Sequence, residues 1–323
     1  MKPAGAPLLP DGPQIEPVNS FDVFGVIPVS SDISFSLGAN ADLAGKFDAF
    51  DAAGSSTYDN LFFSASALNS PYASVADGGT FASLNVSLSN DLNVSVGGAS
   101  LAPGNDFYAM SPANTIARLG GAPLNFDSRS ANSLLAGISW NIAPWAGIGL
   151  TASQTGEHNG LLGSFTPDVT EADTTALGVS ARLQLGDGWM TTASFAQGIT
   201  KLDLKSGPDG EVDQMRSRSY GFAVAKRGLF GNDTMGLAVS RPAPGTIGGS
   251  EFSLLSEAGT LPQLVQNNHL LEGQTPETDF ELGYVTTFLD GAVALQTNAA
   301  YQVNSGQNGT NAVSLLSRAK IKF

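Results

Sequence analysis

The 323-residue chain carries 15 Lys and Arg against 29 Asp and Glu, a net charge of −14 that excludes nucleic acid as a partner, because phosphate binding needs a basic patch. Charged residues are only 14% of the chain, against about 25% in typical soluble domains, while apolar content is an ordinary 42% and there are 38 glycines. That balance suits a protein with a polar interior and an outer surface in lipid, and equally a secreted β-solenoid; the absence of cysteine excludes disulfides and thiolate metal sites.

No stretch reaches the ~18–20 apolar residues of a membrane helix, so any membrane crossing must be built from strands. The opening MKPAGAPLLPDGPQIEP lacks the apolar h-region of a signal peptide, which leads to the expectation of a processed piece of a longer protein. Residues 1–22 read as a proline-rich linker: Pro3, Pro7, Pro10, Pro13 and Pro17 block both a helix interior and a central strand. Extended at ~3.3 Å per residue, this linker would reach beyond a ~30 Å hydrocarbon layer.

Residues 23–323 read as strands of period two. In Asp32–Gly38, Ile33, Phe35 and Leu37 share a face. In Thr80–Ser89, Ala82, Leu84, Val86 and Leu88 oppose Ser83, Asn85 and Ser87; after Asn90-Asp91, Leu92, Val94 and Val96 oppose Asn93, Ser95 and Gly97. Leu134 to Ile142, then Ala146 to Ala152, form the next pair. The cleanest alternation is Thr175–Leu185, with Leu177, Val179, Ala181, Leu183 and Leu185 opposite Ala176, Gly178, Ser180, Arg182 and Gln184. Trp189 to Phe195, Tyr220 to Val224, Met235 to Val239, Phe280 to Phe288 and Val293 to Val303 continue the series. In the last strand, Val313, Leu315, Ala319, Ile321 and Phe323 share one face.

Connections near residues 90, 143, 187, 230 and 290 are short, and those at 39–79, 101–131, 156–172, 205–213, 257–276 and 305–310 are mostly longer. Short periplasmic turns and longer external loops are the habit of outer-membrane barrels. The fold expected is all-β: a transmembrane antiparallel up-and-down β-barrel of about 12 strands. Both termini then lie on the periplasmic side, and residues 235–256 count as one strand with an irregularity at Pro242-Ala243-Pro244. Trp140, Trp145, Trp189 and Phe288 lie beside the short turns and would form an aromatic girdle at one membrane interface. A soluble β-sandwich would bury aromatics near strand centres at least as often.

Three segments resemble the translocator domain of bacterial autotransporters, in particular those following subtilisin-like serine protease passengers. They are FDVFGVIPVSSDISFSL (residues 21–37), LAVSRPAPGTIGG (residues 237–249) and PETDFELGY (residues 276–284). The terminal Phe323 completes the set, and with Ile321 it would belong to the assembly signal of such barrels. Val26 and Arg241 depart from the pattern, which suggests arginine and glutamine there, and Ala243-Pro244 replaces Leu-Arg. The resemblance implies an outer-membrane anchor that carries an N-terminal passenger across the bacterial outer membrane. Its partners would be outer-membrane lipid and lipopolysaccharide, the barrel assembly machinery and the passenger. Family members often thread a helix through the pore, a role the proline-rich start cannot fill.

Lumen-facing positions would include Arg182, Asp279, Glu281 and Arg318, with Asn85, Asn93, Gln184, Gln296, Asn298 and Gln302. Such a wall can hydrate a polypeptide in transit. Glu281 and Arg318 are candidates for a pair across the pore. No enzyme is expected and no cofactor: there is no G-x-S-x-G elbow, phosphate loop or zinc spacing. His158 and His269 fall in expected loops, and acidic loop residues such as Asp209 and Glu251 read as solvating. Two other functions stay open: a stand-alone porin or solute channel, and a soluble β-rich passenger or adhesin domain.

Overall fold

The computed structural model describes residues 23–39, 61–62, 72–76, 79–102, 129–165, 169–204, 213–241, 253–254, 278–289, 293–305 and 310–321. The strands in chain order are β1 (Val23–Pro28), β2 (Ile33–Ala39), β3 (Thr80–Ser89), β4 (Leu92–Leu101), β5 (Ser130–Ala143) and β6 (Ala146–His158). Then come β7 (Gly160–Leu161), β8 (Ser164–Phe165), β9 (Val169–Gly186), β10 (Trp189–Leu204), β11 (Asp213–Arg227) and β12 (Asp233–Arg241). The series ends with β13 (Ser253–Leu254), β14 (Thr278–Phe288), β15 (Val293–Ser305) and β16 (Thr310–Ile321). One 3₁₀ turn, Ala73–Ala76, interrupts the β2–β3 connection.

The strands pair antiparallel, each with its chain neighbour, in one sheet ordered β1-β2-β3-β4-β5-β6-β9-β10-β11-β12-β14-β15-β16; β13 joins β11, and β7–β8 is a separate hairpin. This meander follows from the sequence, because short turns between period-two segments leave adjacent strands no other partner. The β9–β10 turn shows the local chemistry. Gly186, Asp187 and Gly188 hold φ of 85°, 48° and 75°, a left-handed run that favours Gly and tolerates Asp.

The two faces of the sheet are inverted relative to a soluble protein. Val179 is 45% exposed while its neighbour Ser180 is 4% exposed. The same reversal runs from Leu84 and Val96 on β3 and β4 through Leu177 and Leu183 on β9 to Leu237 on β12 and Leu282 on β14, all exposed. Ser83, Ser95, Ser133, Thr155, Thr174, Arg182, Thr200, Ser219, Glu281 and Gln296 are all buried. A single sheet buries one whole face only by curling around it. The buried face is therefore the inner one, and it is hydroxyl- and amide-rich.

Four features differ from the sequence expectation. The meander has thirteen strands rather than about twelve, because Val23–Pro28 forms a strand of its own, turning into β2 where Val29 and Ser30 N–H donate to Ile33 O. With an odd number, β1 begins at the long-loop end, Val23 opposite Ala39, while β16 ends at the short-turn end, Ile321 opposite Val293. The two ends of the meander thus lie at opposite rims. Much of the expected 156–172 loop is strand, so that His158 closes β6 and β9 starts at Val169.

The stretch from residue 235 to 256 is not one unbroken strand. Arg241 ends β12, opposite Tyr220. Unbroken register would bring residue 245 opposite Arg216, yet Ser253 stands there, eight residues later. The strand leaves β11 and rejoins it, as ladder donors lost at Pro242 and Pro244 require, though both prolines lie outside the described residues, as does the 1–22 linker.

Gly188 gives the fold a direct check. A Cβ there would lie 2.8 Å from Arg227 O, on a backbone at positive φ. Gly188→Ala is expected to cost about 1–3 kcal/mol in denaturant unfolding of the detergent-solubilised protein, while preserving the β spectrum.

Candidate functional site: an occupied inner face

The β2–β3 connection, expected as an external loop, enters the sheet. Leu61 and Phe62 are buried against Met190 of β10, Ala223 and Ala225 of β11, Ala238 of β12, Val285 of β14 and Ala294 of β15. Met190, Ala225, Val285 and Ala294 lie near the short-turn ends of their strands. Val75 and Ala76 pack instead with Phe81, Ala99, Leu101, Ala131 and Leu135 of β3–β5, mostly toward the long-loop end. Leu61–Phe62 thus sit near the short-turn end of β10–β15, and Val75–Ala76 toward the long-loop end of β3–β5. One segment touches β3–β5 and β10–β15 on the same inner face, which is what a curled sheet permits.

Three polar contacts hold this plug. Asn298 Nδ2 donates to Leu61 O at 2.5 Å and to Glu281 Oε1 at 2.7 Å, while Gln296 Nε2 donates to Asn298 Oδ1 at 2.8 Å. Gly283 on β14 makes room beside them, since a Cβ there would fall 2.3 Å from Leu61 O. Higher up, Tyr72 Oη and Ser217 Oγ share a hydrogen bond of 2.7 Å, and burial pushes the phenol up to about 12, so it stays neutral.

The third contact is an ion pair. Arg129 Nη1 donates to Val75 O at 3.0 Å and to Glu157 Oε1 at 3.1 Å, and Glu157 also accepts from Gly163 N–H at 2.9 Å. Arg129 and Glu157 are both buried. The pair ties the plug's 3₁₀ turn, the rim of β6 and the β7–β8 hairpin together. Sequence reading placed Glu281, Gln296 and Asn298 on the inner wall but did not link them to Leu61, because the plug contacts join positions up to 237 apart in the chain.

Elsewhere several inner-wall side chains pair with one another, while Ser83 Oγ and Ser240 Oγ are buried with no hydrogen-bond partner among the described residues. Asn85 Nδ2 donates to Ser36 Oγ, Ser95 Oγ donates to Asn85 Oδ1, and hydroxyl pairs join Ser133 to Thr155 and Thr174 to Thr200. A polar hollow of about 200 Å³ opens near the short-turn end of β2–β4, lined by Ser30, Ser34, Asn85, Ser87 and Asn93 among others.

Of the residues singled out in the sequence, Arg182 and Glu281 are buried on the inner face, and Asp279 is half-buried beside Gln302 in the ladder. Glu281 is opposite Ala300 and Arg318 opposite Gln296. Their backbones are thus two strands apart and four residues out of level, roughly 10 Å across and 13 Å along. Glu281 accepts from Asn298 Nδ2, and the side chain of Arg318 lies outside the described residues. Trp140, Trp145, Trp189 and Phe288 are 45–55% exposed on the outer face and cluster at the short turns. Ile321 ends β16, and Phe323 lies outside the described residues, as does His269. His158 is exposed at the β6 rim, 3.6 Å from Glu171. Among the described residues no group of three or more His, Cys, Asp or Glu could hold a metal.

No family model matches the chain, and no curated protein does. Among solved structures, a porin is 12% identical with a TM-score of 0.41, aligned over 76% of this chain and 63% of its own. The monoaromatic hydrocarbon channel CymD is 9% identical, with a TM-score of 0.40 over 93% of this chain and 82% of its own. A Pseudomonas aeruginosa FadL homologue is 12% identical, with a TM-score of 0.38 over 92% and 75%. This chain spans less than two thirds of the porin's length. Likenesses this slight carry no functional weight.

Two substitutions probe the plug. Gly283→Ala forces a backbone contact apart and should make the chain at Leu61–Phe62 more accessible to protease while leaving the β spectrum unchanged. Arg129→Met leaves Glu157 buried without its cation and should cost about 3–5 kcal/mol in guanidinium unfolding.

Proposed function

We propose that the chain is a bacterial outer-membrane β-barrel serving as a solute channel, occluded in its resting state by the β2–β3 segment. The observation that carries this reading is the inversion of the two faces. Exposed Leu, Val, Ile and Phe on most of the long strands, with Tyr301 on β15, suit acyl chains, and the buried Ser, Thr, Asn and Gln suit a water-lined passage. The exposed Trp140, Trp145, Trp189 and Phe288 suit an interfacial girdle at the periplasmic rim. In hydrocarbon the unpaired edges of β1 and β16 would be costly, so the sheet closes there on itself. The transported species is hydrophilic, because the wall it must pass is. The role is transport rather than catalysis, and delivery to the membrane would depend on the assembly machinery that barrels use.

A second reading is supported by one observation. β1 begins at the long-loop rim, the side on which a passenger would be displayed, so an autotransporter translocator remains an alternative. It requires the interior to be cleared during export, whereas the plug is held by Asn298, Ser217 and Arg129.

Planar-bilayer recording separates the two. Wild-type protein is expected to show small, intermittent conductance. A variant in which residues 40–78 are replaced by a short Gly-Ser turn is expected to conduct several-fold more and to pass small hydrophilic solutes. Equal conductance from both proteins would contradict an occluded channel.

A further inference from the structure

The outward side chains of β11 run Arg216, Arg218, Tyr220, Phe222 and Val224 from the long-loop rim downward. Arg216, Arg218, Tyr220 and Phe222 are exposed. On β12, Arg241 opposes Tyr220, and its guanidinium lies 5.8 Å from the centre of that ring. The Arg241 Nε is buried and has no hydrogen-bond partner. Same-face neighbours on a strand are ~7 Å apart and diagonal cross-strand neighbours ~7–8 Å, so the three guanidiniums fall within about 15 Å.

Their height on the sheet is set by register. Arg218 and Arg216 oppose Gln197 and Ile199 of β10, which in turn oppose Leu177 and Thr175 of β9. Leu177 is the last exposed apolar residue of β9 before Thr175, Asp173 and Glu171. Arg218 thus stands on the row where the apolar surface of β9 ends, with Arg216 one step above it and Arg241 one step below, level with Tyr220 and Phe195. Phe222 lies below all three, and Phe195, Tyr220 and Phe222 are exposed. Trp189 and Lys226 mark the opposite edge, eight residues from Arg218 along β11 and about 27 Å away at the usual strand rise.

None of the three arginines has an ion-pair partner among the described residues, and on β10 the side chains opposite Arg216 and Arg218 are neutral. The nearest outward carboxylate on β9, Asp173, opposes Lys201. Lys226 at the lower edge differs, for it lies over Trp189 and donates to Asp187 O. In a chain with only 15 basic residues, three guanidiniums at the edge of the apolar surface with no carboxylate partner among the described residues call for an anion.

From these observations, and resting on the outer-membrane reading above, we infer that Arg216, Arg218 and Arg241 form a binding site for the phosphoryl headgroup of lipopolysaccharide in the outer leaflet. The guanidinium fork matches phosphate oxygens in a bidentate way. A lipid presents its phosphate at this height while its acyl chains lie on Phe195 and Phe222. Dissolved phosphate lacks that second hold, so an exposed site favours the lipid.

The test uses the full chain, purified in a zwitterionic detergent, and titrates bisphosphorylated lipid A, its dephosphorylated form and inorganic phosphate. Native mass spectrometry reads the bound lipid. Wild-type protein is expected to retain bisphosphorylated lipid A at least tenfold more tightly than the dephosphorylated form. The triple variant Arg216→Gln/Arg218→Gln/Arg241→Gln should lose that preference. Equal retention by wild type and variant, or competition by millimolar inorganic phosphate, would overturn the site. Insertion is scored separately, by quenching of Trp140 and Trp189 with brominated phosphatidylcholine in vesicles. Normal quenching with no preference for phosphate defeats only the lipid site, whereas absence of quenching in the wild type defeats the membrane reading as well.

Discussion

Every feature of this molecule depends on one constraint: a β-strand sends successive side chains to opposite faces, and here the two faces meet different solvents. A continuous ladder satisfies the backbone from β1 to β16, so the side chains alone decide what each face can touch. Apolar residues at the odd positions 177 to 185 of β9 and polar or small ones at the even positions leave no register in which both faces could be solvated by water. The sheet must therefore enclose the polar face, and the apolar face must meet something other than water.

Enclosure creates a volume, and the chain fills part of it from within. Leu61–Phe62 lie at the short-turn end of β10–β15, and Val75–Ala76 lie at the upper wall of β3–β5. The seat is specific. Gly283 admits Leu61, Asn298 fixes its carbonyl, and the Arg129–Glu157 pair holds the returning turn. A buried ion pair adds little net stability over an apolar substitute, so its role is better understood as fixing where the segment sits. Because the same pair also contacts the β7–β8 hairpin through Gly163, the plug and the outer rim are mechanically one unit.

Much of the sheet could be read in the sequence because the period-two signal is strong where one face is lipid-like and the other polar. Thr175–Leu185 is the clearest case, and its inner and outer residues fall as expected. Trp189 and Phe288 stand at short turns for the same reason. β1 was not legible, since Val26 and Ile27 are both exposed and its faces do not differ in chemistry. The plug was not legible either. Leu61 and Phe62 form no periodic segment, and their partners come from five strands that lie more than a hundred residues away in the chain. The break after Arg241 was foreshadowed by its prolines, but the eight-residue offset before β13 depends on a detour that no local pattern encodes. For Glu281 and Arg318, facing and register are separate questions. Alternation gives the first, and only the ladder gives the second.

The central claim is that neighbouring residues on one strand face lipid and an enclosed polar interior. The chain lacks cysteine, so single spin labels at Val179 and Ser180 can be introduced without background. In phospholipid vesicles the account predicts that the label at 179 collides freely with dissolved oxygen and is protected from a water-soluble nickel chelate, while the label at 180 is shielded from oxygen. Equal oxygen accessibility at the two positions, or ready access of the chelate to 179, would contradict it.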